Sequence, residues 1–447
     1  MKRKITEHLL KWKDTPGHKP LILQGARQVG KSYILEEFGR TCYKNLVKVS
    51  LDLVPDVRDF LAKKIDPMEI IAFLESMYNT RIIPGETLVF LDEIQDCKRA
   101  LLSLKYFQEQ HPEYDIVAAG SLLGVAINNE ESDEGRFSYP VGKVDELTLY
   151  PMDFEEFLWA MDKDILSENI REHFATNEKM PESLHNQASD LYQKYLVVGG
   201  MPESVLKYRQ TQSYLASREI QQSILAGYDK DMTKYSSPAT AVKIRACFNS
   251  IPAQLAKENA KFVYKVLKEG ARGRDYEEAL QWLDDAGMIT QLFRANPPRL
   301  PLRSYEDFSA FKLFMHDVGL LGAMSDLPPS AVLEGNAVFT NFKGALTEQY
   351  VLQELLAAGA SPAYWSSERG DAEVDFLLQG AEAVYPVEAK AERNLKAKSL
   401  RTYREFFSPP RCYRTSLERH RIGKLTEDMP LYAVGRIVEE TGSRGLT

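Results

Sequence analysis

Eight residues near the start of the chain, Gly25-Ala26-Arg27-Gln28-Val29-Gly30-Lys31-Ser32, constrain its fold more than any other stretch. They fit G-x-x-x-x-G-K-[ST] and follow a short apolar run, Leu21–Leu23. Strand, glycine-rich loop and helix in that order form a phosphate cradle. The two glycines let the backbone curl so that successive N–H groups face an anion. Lys31 brings a charge to the β- and γ-phosphates, and Ser32 offers a hydroxyl to Mg²⁺. A helix over Ser32–Phe38 would turn its positive end toward the same phosphates. The fold that carries such a loop is α/β, built on a parallel sheet, and the ligand it predicts is ATP with Mg²⁺.

A second motif falls about sixty residues later, as the numbering shows. Thr87–Leu91 is a buried-strand pattern running into Asp92 and Glu93. Asp92 is expected to hold the metal shell and Glu93 to orient and deprotonate the attacking water. Two adjacent acids argue for hydrolysis, because one serves the metal and leaves the other for the water. A further strand, Ile116–Ala119, ends in Gly120-Ser121, and Ser121 is the candidate sensor of the γ-phosphate, with a helix-capping role as its alternative. Arg136, after the acidic run Glu130–Glu134, is a candidate arginine finger acting on a neighbouring copy, against the plainer reading of a solvated arginine.

The rest of the chain bounds the answer. At 447 residues it exceeds one core and predicts two to four domains. A net charge of -8 argues against a generally basic nucleic-acid coat but leaves room for a local basic patch. Cys42, Cys97, Cys247 and Cys412 form no C-x-x-C, which disfavours a zinc site or a disulfide framework. No run approaches the roughly 18 apolar residues of a membrane span, so the expectation is a soluble, cytoplasmic protein without a membrane partner.

Four units are expected. Residues 1–160 alternate strands (Leu21–Leu23, Leu46–Leu51, Thr87–Leu91, Ile116–Ala119) with helices such as Ile70–Tyr78 and Ala100–Gln110, the rhythm of a two-sided parallel sheet. Residues 161–250 form a helical lid, broken at Gly199-Gly200-Met201-Pro202. In 251–335, helices Lys261–Lys268 and Arg274–Ala286 precede strands Met288–Arg294 and Phe311–Met315, which is a winged-helix order; a helical lid with a β-flap is the alternative. Residues 336–447 read as a small α/β unit: helix Gly344–Ala358, strands Val374–Leu378 and Tyr385–Ala389, helix Leu395–Phe407 and a closing strand Leu431–Ile437.

The phosphate loop, the Leu91-Asp92-Glu93-Ile94-Gln95 strand end, Leu149–Phe157 and Gly199-Gly200-Met201-Pro202-Glu203 together resemble a large prokaryotic group of AAA-type ATPases whose C-terminal domain carries nuclease-like motifs. The resemblance runs over nearly the whole chain. It implies an AAA+-like core, a winged-helix middle and a restriction-endonuclease-like end.

The last unit carries its own constellation. Glu348 lies on a helix, Asp375 on one strand, and Glu388-Ala389-Lys390 on the next, which is the PD-(D/E)XK layout. Period-two geometry puts Glu388 and Lys390 on one face. Asp375, Glu388 and Glu348 are the candidate ligands of a second Mg²⁺. Asp375, Glu388 and Lys390 would then be catalytic, with Lys390 activating water or stabilising phosphorane charge. The alternative is a set of solvated strand residues in a weak surface ion pair. Downstream, Lys396, Lys398, Arg401 and Arg404 could meet phosphates or merely solvate a helix.

Together these motifs predict an ATP-hydrolysing switch with a DNA-directed C-terminal domain, with assembly into a homo-oligomer left open. One rival is a nucleotide-dependent binding or signalling module that cuts nothing. The other, a small-molecule kinase, explains neither the paired acids nor the long C-terminal appendage.

Overall fold

The computed structural model describes residues 1–128, 139–257, 260–334, 337–391 and 398–443. Its first sheet contains β1 (Leu21–Gln24), β2 (Asn45–Ser50), β3 (Thr87–Asp92), β4 (Asp115–Gly120) and β5 (Asp145–Thr148). They lie in the order β2-β3-β4-β1-β5, with every pairing parallel. Side chains alternate across it, as a strand demands. Leu21, Leu23, Leu88 and Phe90 enter one core, and Ile22, Val89, Leu91 and Ile116 enter the other. β5 was not foreseen: Asp-Glu-Leu-Thr shows half-buried and exposed residues in turn, without an apolar run.

The middle of the chain is helical, as expected. Helices Phe154–Ala160, Asp164–Ala175, Glu182–Val198, Pro202–Thr211, Tyr214–Lys234 and Pro238–Leu255 follow one another. The first is closed by a capping box of Asp153 and Glu156, and the last by Ser237 with Pro238 in the first turn.

The expected wing takes a different form. Lys261–Lys268 is not an α-helix; it is extended chain with one 3₁₀ turn, Tyr264–Val266. Phe262 N–H donates to the Phe311 carbonyl, and Phe262 stacks on the Phe311 ring. The alternation Phe262, Tyr264 is therefore a strand-like pattern with a sheet edge for a partner. β6 (Ile289–Ala295) and β7 (Glu306–Met315) form the hairpin and pair antiparallel.

That hairpin is part of the C-terminal sheet. With β8 (Ala363–Ser366), β9 (Glu373–Gln379), β10 (Val384–Ala389), β11 (Cys412–Ser416), β12 (Arg421–Ile422) and β13 (Thr426–Pro430) it makes a mixed sheet ordered β12-β13-β11-β10-β9-β8-β6-β7. Leu431–Ile437 is not the closing strand. β13 ends at Pro430, and a 3₁₀ turn and the helix Gly435–Thr441 follow. Leu431, Val434, Ile437 and Val438 are all buried at helical spacing, so the period is 3.6 and not 2. The long helix Ala337–Ala357 lies between this sheet and the helical middle.

Candidate functional site

β1 delivers the chain into the phosphate loop, and helix Lys31–Cys42 leaves it. Gly25 and Gly30 have φ of 143° and 96°, where a side chain is strained. Gly25 also packs without slack: a Cβ there would lie 2.3 Å from the Leu149 carbonyl oxygen. Lys31 is buried, and its Nζ donates to the Gly25 and Ala26 carbonyls at 2.9 and 2.8 Å. Burial pushes its ammonium down to about 8, with Glu93 and Asp92 opposing the shift.

β3 brings the acids to the same place. Ser32 Oγ donates to Asp92 Oδ1 at 2.9 Å. Glu93 follows in a left-handed conformation, φ 52° and ψ 49°, which turns it off the strand, and its carboxylate accepts from Gln95 Nε2. Because β4 lies between β1 and β3, its end, Gly120-Ser121, is set between the loop and the acids, with Ser121 buried. A Cβ on Gly120 would come within 2.8 Å of Gln95 Oε1. A hydroxyl and a carboxylate side by side beneath a curled loop are the oxygen donors that suit Mg²⁺, and the positive-φ glycines suit a polyphosphate.

Several residues around this site were not read from the sequence. Lys48 on β2 places Nζ 3.1 Å from Asp92 Oδ2 and 2.6 Å from Glu36 Oε1. Burial works against its ammonium, but Glu36 and Asp92 win and raise it. The helical unit grips the loop directly: Asp231 pairs with Arg27, and Tyr228 Oη donates to the Arg27 carbonyl at 2.9 Å. The basic N-terminus is spent on structure. Arg3 is buried and donates to Val29 O at 3.0 Å, Tyr150 O at 2.6 Å and Glu156 Oε2 at 2.9 Å. Arg136 lies outside the described residues.

The C-terminal residues lie near one another, but Glu348, Asp375 and Glu388 do not form the three-carboxylate metal set expected of them. Asp375 Oδ2 accepts from Ala389 N–H at 2.8 Å, and Lys390 Nζ meets Glu388 Oε1 at 2.5 Å. Glu388 is buried, and among the described residues its Oε2 has no hydrogen-bond partner. Burial, then Glu348 and Glu388, hold the Asp375 carboxyl well above its usual range, and burial raises Glu388 as well. A second cation, besides Lys390, comes from another strand. Lys312 on β7 is 1% exposed and pairs with Glu373 at 2.7 Å and Glu348 at 3.1 Å. Burial alone would depress its ammonium; Glu348, Glu373 and Asp375 reverse that. The signal that could have found it is a single lysine inside the apolar run Ala310–Met315. Among the described residues no group of three His, Cys, Asp or Glu side chains is placed to hold a metal ion. Among them, too, no helix is long and apolar enough to cross a membrane.

Comparison with known proteins follows this division of the chain. Residues 17–158 match the model of an AAA domain, 189–331 a domain of unknown function (DUF8612) and 343–433 another (DUF4143). No curated protein matches the chain. Among solved structures, the Walker-type ATPase PABY2304 of Pyrococcus abyssi is 16% identical, with a TM-score of 0.43 over 72% of this chain and 95% of that one. The RuvB Holliday junction branch migration motor of Thermotoga maritima is 12% identical, with a TM-score of 0.29 over 64% and 88%. Both likenesses are too loose to argue from; the matched family model and the geometry carry the assignment. The N-terminal unit is an AAA-type P-loop ATPase domain.

Proposed function

We propose that this chain is a Mg²⁺-dependent ATP switch whose hydrolysis is coupled to a C-terminal unit directed at DNA. One observation carries the first half. The Ser32 hydroxyl and the Asp92 carboxylate meet at 2.9 Å beneath the loop whose carbonyls hold Lys31. In this reading the amides of Gly25–Ser32 and the Lys31 ammonium bind the triphosphate. Ser32 and Asp92 would hold Mg²⁺, which supplies charge neutralisation at the β- and γ-oxygens. Glu93 orients and deprotonates water, and Ser121 reads the γ-phosphate from between the two motifs. Arg27 leaves Asp231 when a phosphate competes for it, which transmits occupancy to helix Tyr214–Lys234.

For the C-terminal half, the co-location of Glu348, Asp375, Glu388 and Lys390 supports a restriction-endonuclease-like site, with Asp375 and Glu388 as metal holders. A second reading, binding without cleavage, is favoured by Lys312, whose ammonium already neutralises Glu348 and Glu373.

The test is ATP turnover in wild type and Glu93→Gln. Loss of a positioned base should cost about 10²- to 10⁴-fold in kcat, with ATP binding retained; equal rates remove Glu93 from its role. Plasmid and linear DNA with Mg²⁺ or Mn²⁺, with and without ATP, decide the second half. Cleavage lost in Asp375→Ala supports a nuclease, and identical behaviour of the two proteins selects the binding reading.

A further inference from the structure

The strand register of the C-terminal sheet sets out a row of charge that neither motif contains. Glu388 on β10 is the register partner of Arg414 on β11. Arg414 is the partner of Asp428 on β13, and Asp428 is the partner of Arg421 on β12. Register partners point to the same face of a sheet, so these four side chains form one line across it. The line runs from the acidic cluster at Glu388 to a basic cleft at the sheet edge. Three strand spacings separate its ends, about 14 Å.

The cleft has a cavity of about 340 Å³ lined by Arg404, Arg414, Arg421, Lys424 and Asp428. Among the described residues its cations outnumber its carboxylates. Asp428 is the carboxylate of the cleft, and both its oxygens are engaged: Oδ1 by Arg414 and Oδ2 by Arg421 at 3.2 Å. Glu427 serves the other face, with Arg411 and His420. Among the described residues Arg404 and Lys424 have no carboxylate partner. Arg404 comes from helix Lys398–Phe407, which covers this face of the sheet through Leu400 and Tyr403. Among the described residues Arg404, Arg421 and Lys424 stand around one carboxylate that Arg414 also holds, a local excess of positive charge in a chain whose net charge is -8. Guanidinium groups converging on a cleft are the means by which proteins hold phosphate oxygens.

We infer that this cleft binds the phosphodiester backbone of a nucleic-acid strand at the sheet edge, on the exposed Arg421 and Lys424 with Arg404 beside them, while the buried row behind joins the cleft to Glu388. The inference rests on the reading that the C-terminal unit is directed at nucleic acid, and it holds whether that unit cuts or only binds. Arg414 and Arg421 are oriented by Asp428, while Arg404 and Lys424 close the cleft from helix and loop.

The experiment is fluorescence anisotropy of a labelled oligothymidylate with the full-length chain in EDTA, so that no cleavage intervenes, across a salt series. The triple variant Arg404→Ala/Arg421→Ala/Lys424→Ala should weaken binding at least tenfold. It should also flatten the slope of log K against log salt by about 0.7 for each contact removed. Lys424→Glu alone, at an exposed and unpaired position, should show the same direction, and it guards against a triple variant that fails to fold. Arg81→Ala, which removes an exposed partner of Glu75 in the N-terminal unit, should leave both quantities unchanged. A ribonucleotide oligomer run in parallel identifies which backbone the cleft prefers, and excess pyrophosphate should compete with either. If wild type binds and the variants bind with the same affinity and slope, the cleft is overturned while the nucleic-acid reading stands. If wild type binds neither oligomer, both fall.

Discussion

Asp317 ties three parts of the molecule together with one carboxyl. It is fully buried, at the start of helix Val318–Met324, and accepts from Gly200 N–H at 3.0 Å and Gly319 N–H at 3.3 Å. A Cβ on Gly199 would lie 2.3 Å from its Oδ1, so the glycine pair is fixed by this contact as much as by its turn. Burial pushes the carboxyl up to about 7, against the pull of those backbone donors. In the unfolded chain it ionises near 4. Between about pH 4 and 7 the native state therefore holds the extra proton. The stability this group contributes is full below about pH 4, falls as pH rises, and is gone above about 7. Asp317→Asn keeps an acceptor and removes the proton. Urea unfolding at a series of pH values should show wild type losing about 1.4 kcal/mol per pH unit through that window relative to the variant. Parallel profiles would mean the carboxyl ionises as it does in water. His316 beside it is a foil, since burial pushes its imidazole down to about 4 and leaves it neutral throughout most of the same window.

Helix Ala337–Ala357 carries the same logic at the scale of an element. Gln349 Oε1 accepts from Met315 N–H at 2.9 Å and its Nε2 donates to Met315 O at 2.6 Å, so one side chain completes the end of β7. Gln353 serves Val318 N–H and Tyr195 Oη, and Glu354 accepts from Phe154 N–H at 2.8 Å, two hundred residues away. Gln349→Ala would leave a buried donor and acceptor orphaned, each costing about 1–3 kcal/mol. Urea titration should read a loss of about 2–6 kcal/mol, and a loss below about 1 kcal/mol would show that water fills the gap. This helix also marks how far the sequence could be read. Its existence is plain from the apolar positions. Its polar residues look like a solvent face, because their partners are backbone groups that only the tertiary fold brings near. β1, β3 and β4 were legible for the opposite reason: strands buried on both faces are apolar throughout. The loop and the Asp92-Glu93 end were legible because their chemistry is local and strictly spaced. Lys48, Asp231 and Lys312 were not, since each acts on residues from another segment. Leu431–Ile437 misled because a short apolar run does not declare its period.

At the scale of the molecule, the largest of three buried clusters among the described residues runs through every unit. Ala26 and Val29 of the phosphate loop, Tyr195 and Tyr228 of the helical unit, Leu313 of the hairpin, and Tyr350 and Val438 of the C-terminal unit belong to one buried cluster. Arg27 meets Asp231 in the helical unit, Tyr228 Oη lies 3.1 Å from His316 Nε2, and the next residue is Asp317. A path of contacts, largely buried from Asp231 onward, thus joins the loop to the strand that carries Lys312. Units that share a core this way unfold together, so calorimetry should show one transition and not separate ones for the ATPase and C-terminal parts. A ligand that binds only the folded state at 100 times its Kd adds about 2.7 kcal/mol. A Mg²⁺-bound, non-hydrolysable ATP analogue at that excess should therefore raise the whole transition, and slow amide exchange in β9 and β10 as much as in β1 and β3. Two transitions, of which the analogue moves only the first, would show that the shared cluster does not couple the units. The path from phosphate loop to acidic cluster would then be packing without communication.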